Sequence, residues 1–258
     1  MPQRFSYGGH PDQFGELTLP PGQPVLGTVV IIHGGYWRSG YTLELGRPAA
    51  ADLAARGWAA VNLEYRRAGN GGGWPETFQD IAAGIDAMAD LKALQDPQGE
   101  VPSPVIALGH SAGGHLAVWA AGNRSTGGRS PGTRVPLAAV VSQSGVLDLR
   151  LAHDLGLSDG AVSNFLGAGP EEDPERYRLA DPTLLVPAGA PVFVLHGDRD
   201  TTVPLKLAES YTAAAEAAGG YTDLRLVPGD HYGMITPETP AWNGVLQAMA
   251  DAAKAAAG

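Results

Sequence analysis

The sequence predicts an α/β fold: a mostly parallel sheet with helices on both faces. Three observations carry that expectation. Short apolar runs of strand length, rich in β-branched residues, recur along the chain, as strands buried on both faces do. Segments with apolar residues three and four apart fill the intervals, and that alternation implies parallel strands joined by right-handed crossovers. The length, 258 residues, suits one such unit rather than two, so residues 1–258 are expected to form a single domain.

The elements follow in order. GTVVIIH (27–33) is the first strand, stopping at glycines. Residues 43–56 have helical spacing and close at Gly57, a residue type suited to a helix C-terminus. WAAVNLEY (58–65) is the second strand and the glycine-rich GNGGGW a loop. Pro75 suits the first turn of a helix, and FQDIAAGIDAMADLKAL (78–94) keeps helical spacing until Pro97. Strand PVIALGH (104–110), a helix from Ala112 to about Ala121 and strand LAAVVSQS (137–144) repeat the unit. Residues 145–188 are less regular and are expected to form a small cap-like insertion over the face of the sheet. PVFVLHG (191–197), a helix over 204–218, strand DLRLVPG (223–229) and a helix over 238–256 complete the alternation. Ligands in such sheets collect at the carboxyl ends of strands, and functional residues are sought there.

Composition narrows the partners. A formal net charge of −10 disfavours nucleic acid and anionic membrane surfaces. The chain has no cysteine, which removes disulfides, thiolate catalysis and cysteine-ligated zinc and suits a cytoplasmic setting. The opening MPQRFSYGGH lacks the apolar core of a secretory leader, and no run approaches the ~20 apolar residues of a membrane span. The expectation is a cytoplasmic protein acting on a small molecule, with no membrane partner.

LGHSAGGHL (108–116) sets Ser111 between two glycines at the end of a strand. With 36 glycines and 11 serines in the chain, about 0.2 matches to G-x-S-x-G arise by chance, so context decides. The context fits: a strand precedes the serine and a helix follows, as a nucleophile elbow requires. A serine hydroxyl also needs a base to take its proton. Of His10, His33, His110, His115, His153, His196 and His231, only His231 follows the last strand, in the loop PGDHYGM, which is where the chain order serine, acid, histidine places the base. For the acid, Asp198 and Asp200 in HGDRDTTVP lie two apart and point to the same side of an extended segment, so pleat parity does not separate them. Asp148 and Asp230 also lie just past strand ends. In HGGYW (33–37), two glycines after a buried strand let the backbone offer amide donors to a developing oxyanion, and the candidates are Gly35, Tyr36 and Ala112.

HGGYW, LEYRRAGNGGGWPETFQDI, SQSGVLDL and HGDRDTTVP together resemble the α/β-hydrolase fold, within it the esterase group that includes hormone-sensitive-lipase-like enzymes and kynurenine formamidases. The likeness spans nearly the whole chain. It implies a sheet of about eight strands, a small cap or none, and an acid at the fifth position of HG-x-x-D-x-x-V-P, which is Asp200. Lipase-type relatives carry a third glycine where this chain has Tyr36, and that departure leans toward the formamidase branch.

The resulting expectation is a serine hydrolase that cleaves carboxylic esters with small acyl or aryl groups through Ser111, His231 and Asp200, using no metal or organic cofactor. Tyr36, Trp37, Trp74, Phe165 and Tyr232 are candidate walls of a substrate pocket. Arylformamidase activity on N-formylkynurenine-type formamides is the alternative, and a non-catalytic binding protein on the same fold the distant one. Oligomeric state is left open.

Overall fold

The computed structural model describes residues 2–22, 25–125 and 134–256. Among them, eight strands share one sheet: β1 (Gln3–Ser6), β2 (Phe14–Thr18), β3 (Gly27–Ile32), β4 (Trp58–Leu63), β5 (Val105–His110), β6 (Ala139–Gln143), β7 (Val192–Gly197) and β8 (Thr222–Val227). Their spatial order is β1-β2-β4-β3-β5-β6-β7-β8. The first two are antiparallel additions at one edge, and β4 through β8 run parallel. β1 escapes the sequence reading because it is mostly exposed, and β2 because its short run FGELT sets a glycine and a glutamate among its three buried residues.

Side chains alternate across the central strands and supply two cores. Val30 and Ile32 of β3 face one core, with Phe78, Ile81 and Leu116, while Val29 and Ile31 face the other, with Leu53, Trp242 and Val245. Helices α1 (Arg47–Ala55) and α8 (Pro240–Ala255) cover the second face; α2 (Glu76–Ala87), α3 (Ala112–Ser125) and α7 (Lys206–Ala217) cover the first. Strands covered on both sides need no polar alternation, which is why they read as continuous apolar runs.

Two helices differ from expectation. The 43–56 segment opens with a 3-10 turn, Leu43–Gly46, before α1 begins; Pro48 has no N–H to extend that turn as α-helix. Helix α2 ends at Ala87 and passes through a 3-10 turn to Leu91, whose backbone is extended. The later apolar residues of that segment pack from a turn, Leu94 being buried.

Residues 145–188 are more regular than expected, with α4 (Leu149–Asp154), α5 (Leu157–Leu166) and α6 (Pro174–Ala180). Asp148 and Asp173 cap α4 and α6, each accepting a backbone amide three residues on. A left-handed stretch at Ser158, Asp159 and Gly160 interrupts α5 and hides its helical period. These helices attach to the first face through side chains of α3: the Trp119 indole donates to the Leu179 carbonyl, and the His115 ring lies 3.0 Å from the Ala180 carbonyl.

Candidate active site

Ser111 sits in the turn from β5 to α3 with φ +55°, a left-handed conformation that costs a residue with a β-carbon about 1–3 kcal/mol. Its amide donates to the Gln143 carbonyl at 2.9 Å, and its carbonyl accepts from the Val146 amide at 3.2 Å. Close backbone approach forces the turn. A Cβ at Gly113 would stand 2.1 Å from the Ile32 carbonyl oxygen, and one at Gly34 would stand 3.0 Å from the Ser111 Cβ. The first contact requires glycine after the serine, and the second brings the HGG loop against it.

His231 Nδ1 lies 2.7 Å from Asp200 Oδ2. A carboxylate only accepts, so Nδ1 carries the proton and Nε2 keeps its lone pair. Asp200 also accepts the Thr202 and Val203 amides at 2.8 and 2.9 Å. Burial by itself would raise the Asp200 carboxyl, but hydrogen bonds from His231, Ser144 and the Val203 amide hold it well below the usual carboxylate range. The competing acids are engaged elsewhere: Asp198 accepts the Gly229 amide, Asp148 the Leu151 amide and the Ser210 hydroxyl, and Asp230 the Tyr232 and Gly233 amides. Among the described residues no hydrogen bond joins the Ser111 hydroxyl to His231. The ring of His110, next to the serine in the chain, stands 4.5 Å from that of His231, and bonds of this kind often tighten only with substrate bound.

The other histidines have structural partners. His33 lies between the Gly34 carbonyl and Glu64, His110 meets the His231 carbonyl, His196 the Val203 carbonyl, and His153 the Ser163 hydroxyl. His115 meets Ala180, and His10 accepts the Asp12 amide.

The backbone of the HGG loop is left-handed at Tyr36 (φ +51°) and Trp37 (φ +56°), and has φ +114° at Gly35. Among the described residues, the amides of Gly35, Tyr36 and Ala112 donate to no protein acceptor, which leaves three donors for an anion. A buried polar network sets this loop. The Tyr65 hydroxyl donates to the His33 carbonyl at 2.7 Å, and Glu64 takes the Leu43 and Tyr65 amides at 2.9 and 3.0 Å together with the Arg67 guanidinium. The Tyr7 hydroxyl donates to the Glu64 carbonyl at 2.6 Å. A charged residue ending an apolar strand just before an arginine pair is the sequence signal for this network. The sequence gives no reading for Ser144, which sits left-handed after β6, accepts the Gly197 amide at 3.4 Å and helps keep Asp200 ionised; the glycine that follows it is the only local sign.

Two expected pocket walls are corrected. Trp37 and Phe165 are 0% and 1% exposed, with rings stacked 4.5 Å apart, and the Trp37 indole donates to His115 Nδ1 at 3.2 Å. The left-handed backbone turns Trp37 inward, where it seals the HGG loop to α5 instead of facing a substrate. Trp74 is half-buried, edge-on to Phe78. Tyr36 and Tyr232 remain near Asp200 and His231: the Tyr36 hydroxyl donates to the Thr202 carbonyl at 3.0 Å, and Tyr232, 54% exposed, stands edge-on to His231. Among the described residues no cluster of three or more His, Cys, Asp or Glu side chains is arranged to hold a metal ion, and no helix is long and apolar enough to cross a membrane.

Comparison with known proteins agrees with this architecture. The BD-FAE family model matches residues 17–214. Esterase LipC of Mycobacterium tuberculosis is 29% identical over 245 residues, covering 90% of this chain and 59% of the relative. Isoprenylcysteine alpha-carbonyl methylesterase ICME of Arabidopsis thaliana is 27% identical over 254 residues, covering 92% and 58%. The chain thus spans less than two thirds of the length of these relatives. A truncated carbohydrate esterase from gut microbiota superimposes with TM-score 0.80 at 21% identity, covering 98% of this chain and 96% of that one. Esterase B of Lactobacillus rhamnosis does so with TM-score 0.80 at 19% identity, covering 98% and 84%. At those identities the likeness shows the fold, that of α/β-hydrolases.

Proposed function

This chain belongs to the BD-FAE family, and from that premise we propose that it is a serine hydrolase of the carboxylesterase type, acting on esters with small acyl or aryl groups. The observation that carries the reading is the 2.7 Å bond between His231 and Asp200 at strand ends beside a left-handed Ser111 and three unengaged amides. Its relatives named as esterases support it.

In the proposed reaction the Ser111 oxygen attacks the ester carbonyl carbon while His231 Nε2 takes the hydroxyl proton. The oxyanion accepts from the Gly35, Tyr36 and Ala112 amides. The C–O bond then breaks, His231 returns the proton to the leaving alcohol, and an acyl group remains on Ser111. Water attacks that acyl group, its proton passes to His231, and the acid departs as Ser111 regains a proton. Asp200, held ionised, keeps the imidazole in the tautomer this cycle needs and stabilises its charged form. The setting proposed is the cytoplasm, consistent with a chain that has no cysteine.

The test compares p-nitrophenyl acetate with N-formylkynurenine, for the wild type and Ser111→Ala. Ester turnover that falls at least ~10³-fold in the variant is expected. Hydrolysis retained by Ser111→Ala would sink the reading. Formamide cleavage far above ester cleavage would keep the serine mechanism and replace the substrate class.

A further inference from the structure

His110 and Gln143 are register partners at the carboxyl ends of β5 and β6, and both are buried. Each side chain donates to a carbonyl of the loop that carries His231: His110 Nε2 lies 2.9 Å from the His231 carbonyl oxygen, and the Gln143 amide meets the Met234 carbonyl. We propose that these two residues position the base, clamping the 231–234 loop against the serine turn; the inference rests on the reading of Ser111, His231 and Asp200 above.

Both residues also hold the serine. His110 precedes it directly, and the Gln143 carbonyl accepts the Ser111 amide at 2.9 Å. Serine and histidine are 120 positions apart in the chain, yet their separation in space is set through two shared supports. The bond to Asp200 fixes one edge of the imidazole and Asp230 ties the Tyr232 and Gly233 amides within the loop; the two carbonyl bonds are the ones that reach across to the serine turn. A carbonyl oxygen accepts and never donates, so His110 carries its proton on Nε2. Its Nδ1 has no hydrogen-bond partner among the described residues, so the ring is oriented for one bond at the expense of the other. Burial, with the neighbouring His231 adding to it, pushes the His110 pKa down to about 3. A ring this weakly basic does not compete for the serine proton, and being neutral it does not repel the imidazolium that forms.

The experiment uses the full chain with His110→Ala, His110→Gln and Gln143→Met, beside wild type and Ser111→Ala. Misplacing the base lowers kcat roughly 10- to 100-fold on p-nitrophenyl acetate while KM stays within about twofold, and His110→Gln, which returns a donor near the Nε2 position, recovers most of the loss. Proton NMR supplies a second readout that needs no turnover. The downfield N–H resonance of an imidazole bound to carboxylate is expected in wild type and Ser111→Ala, and is broadened or lost in His110→Ala and Gln143→Met. Should His110→Ala fail to fold, Gln143→Met carries the same prediction alone. Unchanged kcat in the clamp variants overturns the proposal. If wild type shows no turnover that depends on Ser111, the reaction reading falls, and the resonance decides the clamp: its persistence in both variants overturns it.

Discussion

The loop that presents amide donors rests on buried charges, whereas the loop that presents the proposed base meets the serine turn through neutral donors. Beneath the HGG loop, Glu64 and Arg67 are each 2% exposed and paired, Arg67 also meets Asp12, and removing either charge weakens a buried ionic network. Under the 231–234 loop, His110 and Gln143 bond to carbonyls, contacts worth about 1 kcal/mol each. The difference separates two duties. The donor side is tied to the stability of the whole sheet edge, because its supports reach Tyr7, Leu43 and Asp12. Geometry on the base side can change while the fold persists.

That contrast can be broken by crossing its two consequences. Asp200→Asn keeps the shape of the acid but offers an amide donor to His231, which reverses the tautomer; kcat is expected to fall ~10³- to 10⁴-fold while the chain stays folded at neutral pH. A loss under about tenfold would remove the base side from the comparison. Glu64→Gln should act mainly on stability, lowering the free energy of unfolding in urea by about 1–3 kcal/mol, because Arg67 is left with only the partly exposed Asp12 as an anionic partner. An unchanged urea midpoint would mean that the network adds nothing to stability.

Acidity sharpens the same contrast with a smaller effect. Asp200 titrates below its unfolded value in the folded protein, so it contributes stability that is present above about pH 4 and is lost as pH falls through the folded value. The wild-type urea midpoint should therefore decline below about pH 4 more steeply than that of Asp200→Asn. Equal slopes would show that the carboxyl adds no such stability. The smallest effect is expected of Tyr36→Phe, which deletes the hydroxyl that bonds the HGG loop to the Thr202 carbonyl beside the acid. One such bond is worth about 1 kcal/mol, and a double-mutant cycle with Asp200→Asn measures whether the two loops are coupled through it.

Much of this site is readable in sequence because its parts are local. The serine turn declares itself through glycines that close backbone contacts require, and the histidine through its place after the last strand. The acid is less local. Asp198 and Asp200 are equivalent by spacing, and the tie breaks in space: a turn closed by the Asp200 amide on the Gly197 carbonyl sends Asp200 to His231, while Asp198 is spent on the Gly229 amide. Trp37 and Phe165 lie in the core rather than at a pocket wall, which spacing does not reveal for the related reason that an aromatic beside a glycine loop has the same sequence appearance whether it faces substrate or core.

The sequence by itself determined the alternation of strands and helices, the serine turn and the late histidine loop, because apolar period and glycine placement are properties of consecutive residues. Only the tertiary structure decided how β1 and β2 extend the sheet, where α2 stops, how Asp200 rather than Asp198 reaches the imidazole, and that His110 and Gln143 meet carbonyls of the 231–234 loop. Each of those depends on a partner many residues away, and spacing along a chain carries no record of which distant carbonyl a side chain will reach.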